Sequence, residues 1–275
     1  MGDVFVRDMM SGVYIQLKAL DLLKAISRDE FLLYYQPQFH VETGKFESME
    51  VLLRWQHPEY GLIMPQDFVP LAEETKLIIP IGEYVLRKAC QQCKHWHDKG
   101  LPFLRIAVNV SWTQIQLGQL DLVVGEVLEE IGLDAKWLEL ELTENILLHG
   151  TQAKLIDSIN RIKKMGVTVT LDDFGTGYSS ISHLKVIPID RIKIDKSYIE
   201  NIHTNGDDLA IVRAIIALGD SLNLKVMAEG VETLRQMKLL SGEGCMEMQG
   251  FYFSEPIPAD EFERFIVFYQ TRSFL

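Results

Sequence analysis

Residues 31–55 read FLLYYQPQFHVETGKFESMEVLLRW. Two apolar runs with strand character, 31–38 and 46–55, flank Glu42-Thr43-Gly44-Lys45. From Gln36 to Glu50 is only 14 residues. A parallel crossover needs a dozen or more connecting residues, so this pair is expected to be an antiparallel hairpin. The rest of the chain reads differently. Short strand-like runs at 104–111, 137–143, 167–173, 190–195, 224–229 and 245–250 are mostly separated by helical stretches. Those stretches lie at 68–75, 81–98, 120–131, 151–165, 207–222 and 232–240. Strands alternating with helices indicate an α/β fold with a largely parallel sheet. Eight strands in about 250 residues match a TIM-type (β/α)8 barrel, here modified by an antiparallel first strand. A doubly wound open sheet is the rival, weakened by the lack of a Gly-x-Gly-x-x-Gly after the first strand.

Upstream, residues 16–26 have helical apolar spacing, and residues 1–15 show no strong pattern. The latter are expected to be a linker or the remnant of an upstream region, with the domain proper at 16–275. The 275 residues carry 27 Lys and Arg against 39 Asp and Glu, a formal charge of -12. That field argues against a general nucleic-acid or anionic-membrane surface. No apolar stretch approaches the ~20 residues of a membrane helix. Three cysteines do not make a disulfide framework. The expected location is cytoplasmic, as a whole protein or as the cytoplasmic part of a longer one.

Side chains alternate along a strand, so residues two apart share a face. Glu50, Leu52 and Arg54 oppose Met49, Val51, Leu53 and Trp55. Asn109 and Ser111 oppose Ile106, Val108 and Val110. Glu139 and Glu141 oppose Leu138, Leu140 and Leu142, and Thr168, Thr170 and Asp172 oppose Val167, Val169 and Leu171. Lys193 and Asp195 oppose Ile192 and Ile194, and Glu247 and Gln249 oppose Met246 and Met248. If helices cover the apolar faces, the polar faces converge inside the barrel. Buried carboxylates without partners are very costly, so converging ones need cations. Interior ion pairs are the alternative for these residues, and more so for Glu139, Glu247 and Asp195 than for the rest. None of the seven histidines falls at these strand ends, so the donor set is oxygen-rich and suits a hard cation such as Mg2+ or Mn2+. Asp172 and Asp173 are the key pair. One can bridge two ions while its neighbour, turning with the loop, binds the second, and two such ions form a clamp for displacement at phosphorus.

Together these segments closely resemble the EAL-domain family of cyclic di-GMP phosphodiesterases. The resemblance rests on Tyr35-Gln36-Pro37, Glu50 to Trp55, Asn109-Val110-Ser111, Glu141-Leu142-Thr143-Glu144 and Asp172-Asp173-Phe174-Gly175-Thr176-Gly177-Tyr178-Ser179-Ser180. Ile192-Lys193-Ile194-Asp195, Ala228 to Glu232 and Gln249-Gly250-Phe251 complete it, in family order. The signature tripeptide departs to Glu50-Val51-Leu52, and residue 51 faces away from Glu50, so packing changes and ligation does not.

The resemblance implies roles residue by residue. Glu50, Asn109, Glu141 and Asp172 would hold a first metal; Asp172 and Asp173 would hold a second, with Glu229 as a ligand or partner of the attacking water. Lys193 would orient that water, with Glu232 and Gln249 hydrogen-bonding around it; either Glu229 or Lys193 is a candidate base. Gln36, Leu52 and Arg54 would contact substrate, and Arg54 suits bidentate phosphate recognition. Glu144 would hold the loop after Asp173, which in the family links metal occupancy to a dimer interface. The implied reaction is two-metal hydrolysis of cyclic di-GMP to linear pGpG, in a homodimer, within bacterial signalling. Fusion to a sensory or diguanylate cyclase domain is a further implication. The alternative is a catalytically silent cyclic di-GMP receptor or interaction module, in which a ligand, the lysine or the loop is typically altered; every matched position is kept here. Cys90, Cys93, His95 and His97 look like a metal-binding string but fall on different faces of one helix. His57 and His183 lie beside the motifs as secondary substrate-contact candidates.

Overall fold

The computed structural model describes residues 4–7, 14–101, 104–149, 153–177 and 184–270. The hairpin expected from residues 31–55 is present: β3 (Phe31–His40) runs antiparallel to β4 (Lys45–His57), with Gln36 opposite Glu50. From β4 the sheet continues in parallel through β6 (Arg105–Val110), β7 (Leu138–Thr143), β8 (Thr168–Phe174), β9 (Arg191–Ile194), β10 (Lys225–Ala228) and β11 (Glu247–Met248). β11 then pairs antiparallel with β3 and closes a barrel of eight strands among the described residues. Two short strands add to that ring from outside: β5 (Gly61–Ile63) pairs with β4, and β12 (Ile257–Pro258) pairs with Tyr34 and Tyr35 of β3.

The helices follow the apolar spacing. In α3 (Ile78–Asp98), Ile78, Ile81, Val85, Ala89, Cys93 and Trp96 recur every three to four residues and are all buried. α2 (Pro65–Glu74) starts with proline at its first position, where the missing N–H costs nothing. Capping boxes start α4 (Trp112–Leu117) at Ser111–Gln114 and α9 (Leu234–Gly242) at Thr233–Gln236. α5 (Leu120–Ile131), α6 (Ala153–Met165), α7 (Lys196–Glu200), α8 (Gly206–Leu222) and α10 (Ala259–Gln270) complete the layer. Toward it face Met49, Val51 and Trp55 of β4, Ile106 and Val108 of β6, Leu138 and Leu140 of β7, and Ile192 and Ile194 of β9, all buried. Each such side chain contributes about 1.5–3 kcal/mol by leaving water.

Two details of the N-terminal region differ from the sequence reading. The helix expected at 16–26 is α1 (Ala19–Ser27), because Tyr14–Leu17 is a strand, β2. β2 pairs antiparallel with β1 (Val4–Arg7), where the sequence carries no strong pattern. The last strand is also shorter than its expected 245–250. Among the described residues, no helix is long and apolar enough to cross a membrane.

Candidate active site

The barrel interior is polar and layered. Toward the N-terminal ends of the strands, the Arg191 guanidinium lies 2.8 Å from Glu139 and 2.7 Å from Glu247, with Arg105 3.6 Å from Glu139 and Lys225 3.1 Å from Glu247. Thr170 donates to Glu139 at 2.5 Å. Glu139 and Glu247 are therefore interior ion pairs, the alternative left open for them. Asp195 instead caps α7, its Oδ1 accepting from Ser197 N–H at 3.0 Å.

One layer higher, two residues further along each strand, the second set converges. Glu50 on β4, Glu141 on β7 and Asp172 on β8 bring carboxylate oxygens within 4.8 Å of one another. Asp172, Asp173 and Glu229 do the same, so Asp172 belongs to both groups. Asn109 donates its amide to Glu50 at 2.7 Å. In the middle, Lys193 Nζ lies within 3.3 Å of Glu50, Glu141, Asp172 and Glu229.

Consecutive residues of a regular strand point to opposite faces, yet Asp172 and Asp173 share a cluster. The pairing of β8 with β9 shifts register between Leu171 and Phe174. Asp173 takes a positive φ of 55° there. Such a bulge re-aims a side chain next to a site. Asp173 turns inward before the strand ends rather than in the loop beyond it.

Burial, and then the Glu50 charge, push the Glu141 carboxyl well above the ordinary value, against the pull of Lys193. Burial also raises Asp172 despite Lys193. Burial and the Asp172 charge lift Asp173 to about 6. Burial, aided by Asp172 and Glu50 and opposed by Lys193, lifts Glu229 to about 8. Burial would raise Glu50 as well, but Lys193, Gln249 and Asn109 hold it below its ordinary value. Lys193 stays protonated because its four carboxylate neighbours outweigh the cost of burying it. Were all five carboxylates ionised, the one ammonium would leave an excess of four negative charges, the number that two divalent cations would balance.

The clusters floor an open cleft of about 470 Å³, within the range of small-molecule sites. Gln36, Leu52, Arg54, Glu232 and Gln249 line it, together with Asp195, Lys196 and Phe251. Arg54 is anchored by a 2.8 Å bond from Nη1 to the Leu53 carbonyl and lies over the Tyr34 ring. Gln249 Nε2 donates to Glu50 at 2.7 Å and to Gln36 Oε1 at 2.8 Å. Glu232 is exposed at the rim. Glu144 Oε2 accepts from the N–H groups of Gly175 and Gly177 at 2.8 and 3.0 Å.

Gln38 is a site residue that the motif reading missed. It is buried, donates to Glu141 at 3.3 Å and to Gln249 at 2.9 Å, and accepts from Ser48 at 2.5 Å. Strand alternation carried the signal, because Gln38 shares its face with Gln36. The other candidates lie elsewhere. Cys90 and Cys93 are buried in α3, with Cys93 Sγ 3.6 Å from His97 Nε2. His57 stacks on Tyr60 and accepts from the Glu59 and Tyr60 N–H groups. His183 and residues 178–180 of the loop motif lie outside the described residues.

Comparison with known proteins agrees with this arrangement. The chain is 43% identical over 259 residues to the bifunctional diguanylate cyclase/cyclic di-GMP phosphodiesterase MucR of Pseudomonas aeruginosa, covering 94% of this chain and 38% of MucR. It is 40% identical over 271 residues to the cyclic di-GMP phosphodiesterase PdeR of Escherichia coli, covering 98% of this chain and 40% of PdeR. The chain thus spans about two fifths of these relatives. The solved structure of the PaMucR phosphodiesterase in its c-di-GMP complex superposes with a TM-score of 0.84 at 43% identity, over 88% of this chain and 98% of that one. The EAL domain model matches residues 19–256, most of the chain and all of the barrel ring, and the chain belongs to the EAL domain family.

Proposed function

We propose that this chain hydrolyses one phosphodiester of cyclic di-GMP to give linear pGpG, using two divalent cations, Mg2+ or Mn2+. The observation that carries the reading is the pair of carboxylate clusters sharing Asp172 on the floor of a cleft that Arg54 overlooks. Similarity to a phosphodiesterase solved with c-di-GMP supports the substrate.

The residues fit such ions. The donors are hard carboxylate oxygens; burial, aided by neighbouring carboxylates, lifts the carboxyls of Glu141, Asp172 and Glu229, and divalent cations bound there would oppose that shift. Glu50, Asn109, Glu141 and Asp172 would hold one ion; Asp172 and Asp173 would hold the other, with Glu229 beside them as a further ligand or as the partner of the attacking water. When bound, the ions would supply a water of lowered pKa and neutralise charge developing at phosphorus.

The chain's own groups do the rest. Arg54 presents a guanidinium fork to a phosphate, and Gln36 and Leu52 form the adjoining wall. Lys193 Nζ supplies positive charge and hydrogen bonds from beneath. The candidate base is Glu229 rather than Lys193. Glu229 keeps 17% of its side chain open toward the cleft, whereas Lys193 is wholly buried among carboxylates and charged. Gln249, bonded to Glu50, and Glu232 at the rim line the same cleft and would hydrogen-bond around the water. Phosphoryl transfer depends mostly on positioning and charge stabilisation, so this set suffices. Fusion to a sensory or diguanylate cyclase domain belongs to the same proposal, and the bifunctional relative MucR supports a cyclase partner; homodimer formation and a cytoplasmic signalling role rest on the family resemblance alone.

The test is turnover of cyclic di-GMP with Mg2+ or Mn2+, followed by chromatography of the product. Formation of pGpG, abolished in Glu50→Gln, is expected. Tight binding of cyclic di-GMP by the intact chain without turnover would overturn the enzyme reading in favour of a receptor.

A further inference from the structure

The loop after β8 is held at both polar groups of a single residue. Glu144 Oε2 receives the Gly175 N–H at 2.8 Å, and Gly177 N–H shares that oxygen. From the other side, the Tyr198 hydroxyl donates to the Gly175 carbonyl. Glu144 opens the 3-10 turn after β7, and Tyr198 sits in α7 after β9. The two holders therefore come from the strands on either side of β8.

This stretch needs holding. Asp173 has φ 55° and Gly175 φ 101°, so two of three consecutive residues occupy the left-handed region. For Asp173 that region is unfavourable and persists only where the surroundings over-determine it. Glycine at 175 also admits the phenol, because a Cβ there would lie 2.8 Å from Tyr198 Cε2. The Tyr198 ring packs against the hydrophobic core, so its hydroxyl is delivered from a fixed position. Thr176 closes the turn by donating to the Asp173 carbonyl at 2.8 Å.

We propose that Tyr198 is a positioning residue whose hydroxyl, by fixing the Gly175 carbonyl opposite Glu144, sets the direction of the Asp173 carboxylate toward Asp172 and Glu229. The inference rests on the reading that this group holds a divalent cation. It concerns the Asp173 side of the site, which shares Asp172 with the other group. Glu50 and Glu141 lie on β4 and β7, and their hydrogen bonds come from Asn109, Gln249, Gln38 and Lys193, none of them in the loop after β8.

Tyr198→Phe removes the hydroxyl and keeps the ring. The experiment is calorimetric titration of the full chain with Mn2+ alone, for the parent, Tyr198→Phe, Asp173→Asn and Glu50→Gln. Asp173→Asn identifies the binding event that depends on residue 173. In Tyr198→Phe that event should weaken about 10–100-fold, as for other residues that orient metal ligands, while the Glu50-dependent event is unchanged. The metal-free unfolding midpoint should match the parent. Unchanged affinity at the Asp173-dependent event overturns the proposal. So does equal weakening of both events with a lowered unfolding midpoint, which marks a packing role. A parent chain that binds no Mn2+ overturns the metal reading and this inference together, whereas normal binding in both parent and Tyr198→Phe overturns this inference only.

Discussion

Lys193 Nζ lies 2.5 Å from Glu229 Oε1, and the same nitrogen also reaches Glu50, Glu141 and Asp172. One wholly buried ammonium is thus the common counter-charge of four carboxylates contributed by β4, β7, β8 and the segment after β10. It acts on folding and chemistry at once. It is the closest neutralising charge to those carboxylates, and under the proposed reaction it would also offer a hydrogen-bond donor to the phosphate.

Lys193→Met should therefore abolish turnover and also destabilise the protein. Removing one partner of a buried charged group costs about 3–5 kcal/mol, because the charges left behind stay uncompensated. Urea unfolding in EDTA should show that loss. Added Mn2+ should restore part of it, since cations bound at the carboxylates relieve the same repulsion. A variant as stable as the parent in EDTA would contradict the role assigned to Lys193.

The raised carboxyls make stability depend on pH in a defined direction. Glu229 at about 8 and Asp173 at about 6 bind protons in the folded chain that the unfolded chain releases near 4 to 5. A raised folded-state pKa contributes stability that is present below the unfolded value and lost as pH rises through the folded one. Metal-free protein should thus lose stability between about pH 5 and pH 8, and divalent cations should flatten that slope. At pH 7, cation binding must also displace the Glu229 proton. Calorimetry of Mn2+ binding in two buffers of different ionisation enthalpy should register proton release.

The lower layer yields a prediction separate from catalysis. Arg191 is 1% exposed, between Glu139 and Glu247. Arg191→Met should cost about 3–5 kcal/mol by stranding Glu139. Arg191→Met combined with Glu139→Leu should recover much of that loss, because the unpaired charge goes with its partner. Thermal unfolding of the two variants decides the point.

Gly250 is a position where packing leaves no alternative. A Cβ there would sit 2.1 Å from the Val231 carbonyl oxygen, inside the segment that joins Glu229 to Glu232. That carbonyl accepts from Tyr252 N–H at 2.9 Å, and Val231 N–H donates to Gln249 at 3.0 Å. Gly250→Ala should therefore cost about 1–3 kcal/mol through overpacking. It should also lower turnover by shifting Gln249, both measurable by urea denaturation and a hydrolysis assay.

The barrel was legible in the sequence because its causes are local. Strand alternation and the short Gln36–Glu50 spacing depend on residues close together in the chain, and they indicated an antiparallel first strand and an inward polar face. The same alternation brought Glu50, Glu141, Asp172 and Lys193 to one interior, which sorts them by side without any contact being known. Gln38 lay within reach of that logic, on the face of Gln36.

Other features were not local. Nothing in the spacing of Asp172 and Asp173 announces the bulge that aims both into one cluster; it depends on how β8 seats against β9. The division of interior charges into a paired lower layer and an upper layer short of cations depends on strand stagger, which only barrel closure sets. The bond from Tyr198 to the Gly175 carbonyl joins residues 23 positions apart, and no period in the chain encodes that distance. Sequence alone determined which side chains face inward, since that follows from the two-residue repeat of each strand. Which of them meet, and with what charge left over, was decided by tertiary structure, because Coulomb and hydrogen-bond energies depend on separations that exist only once the barrel has closed.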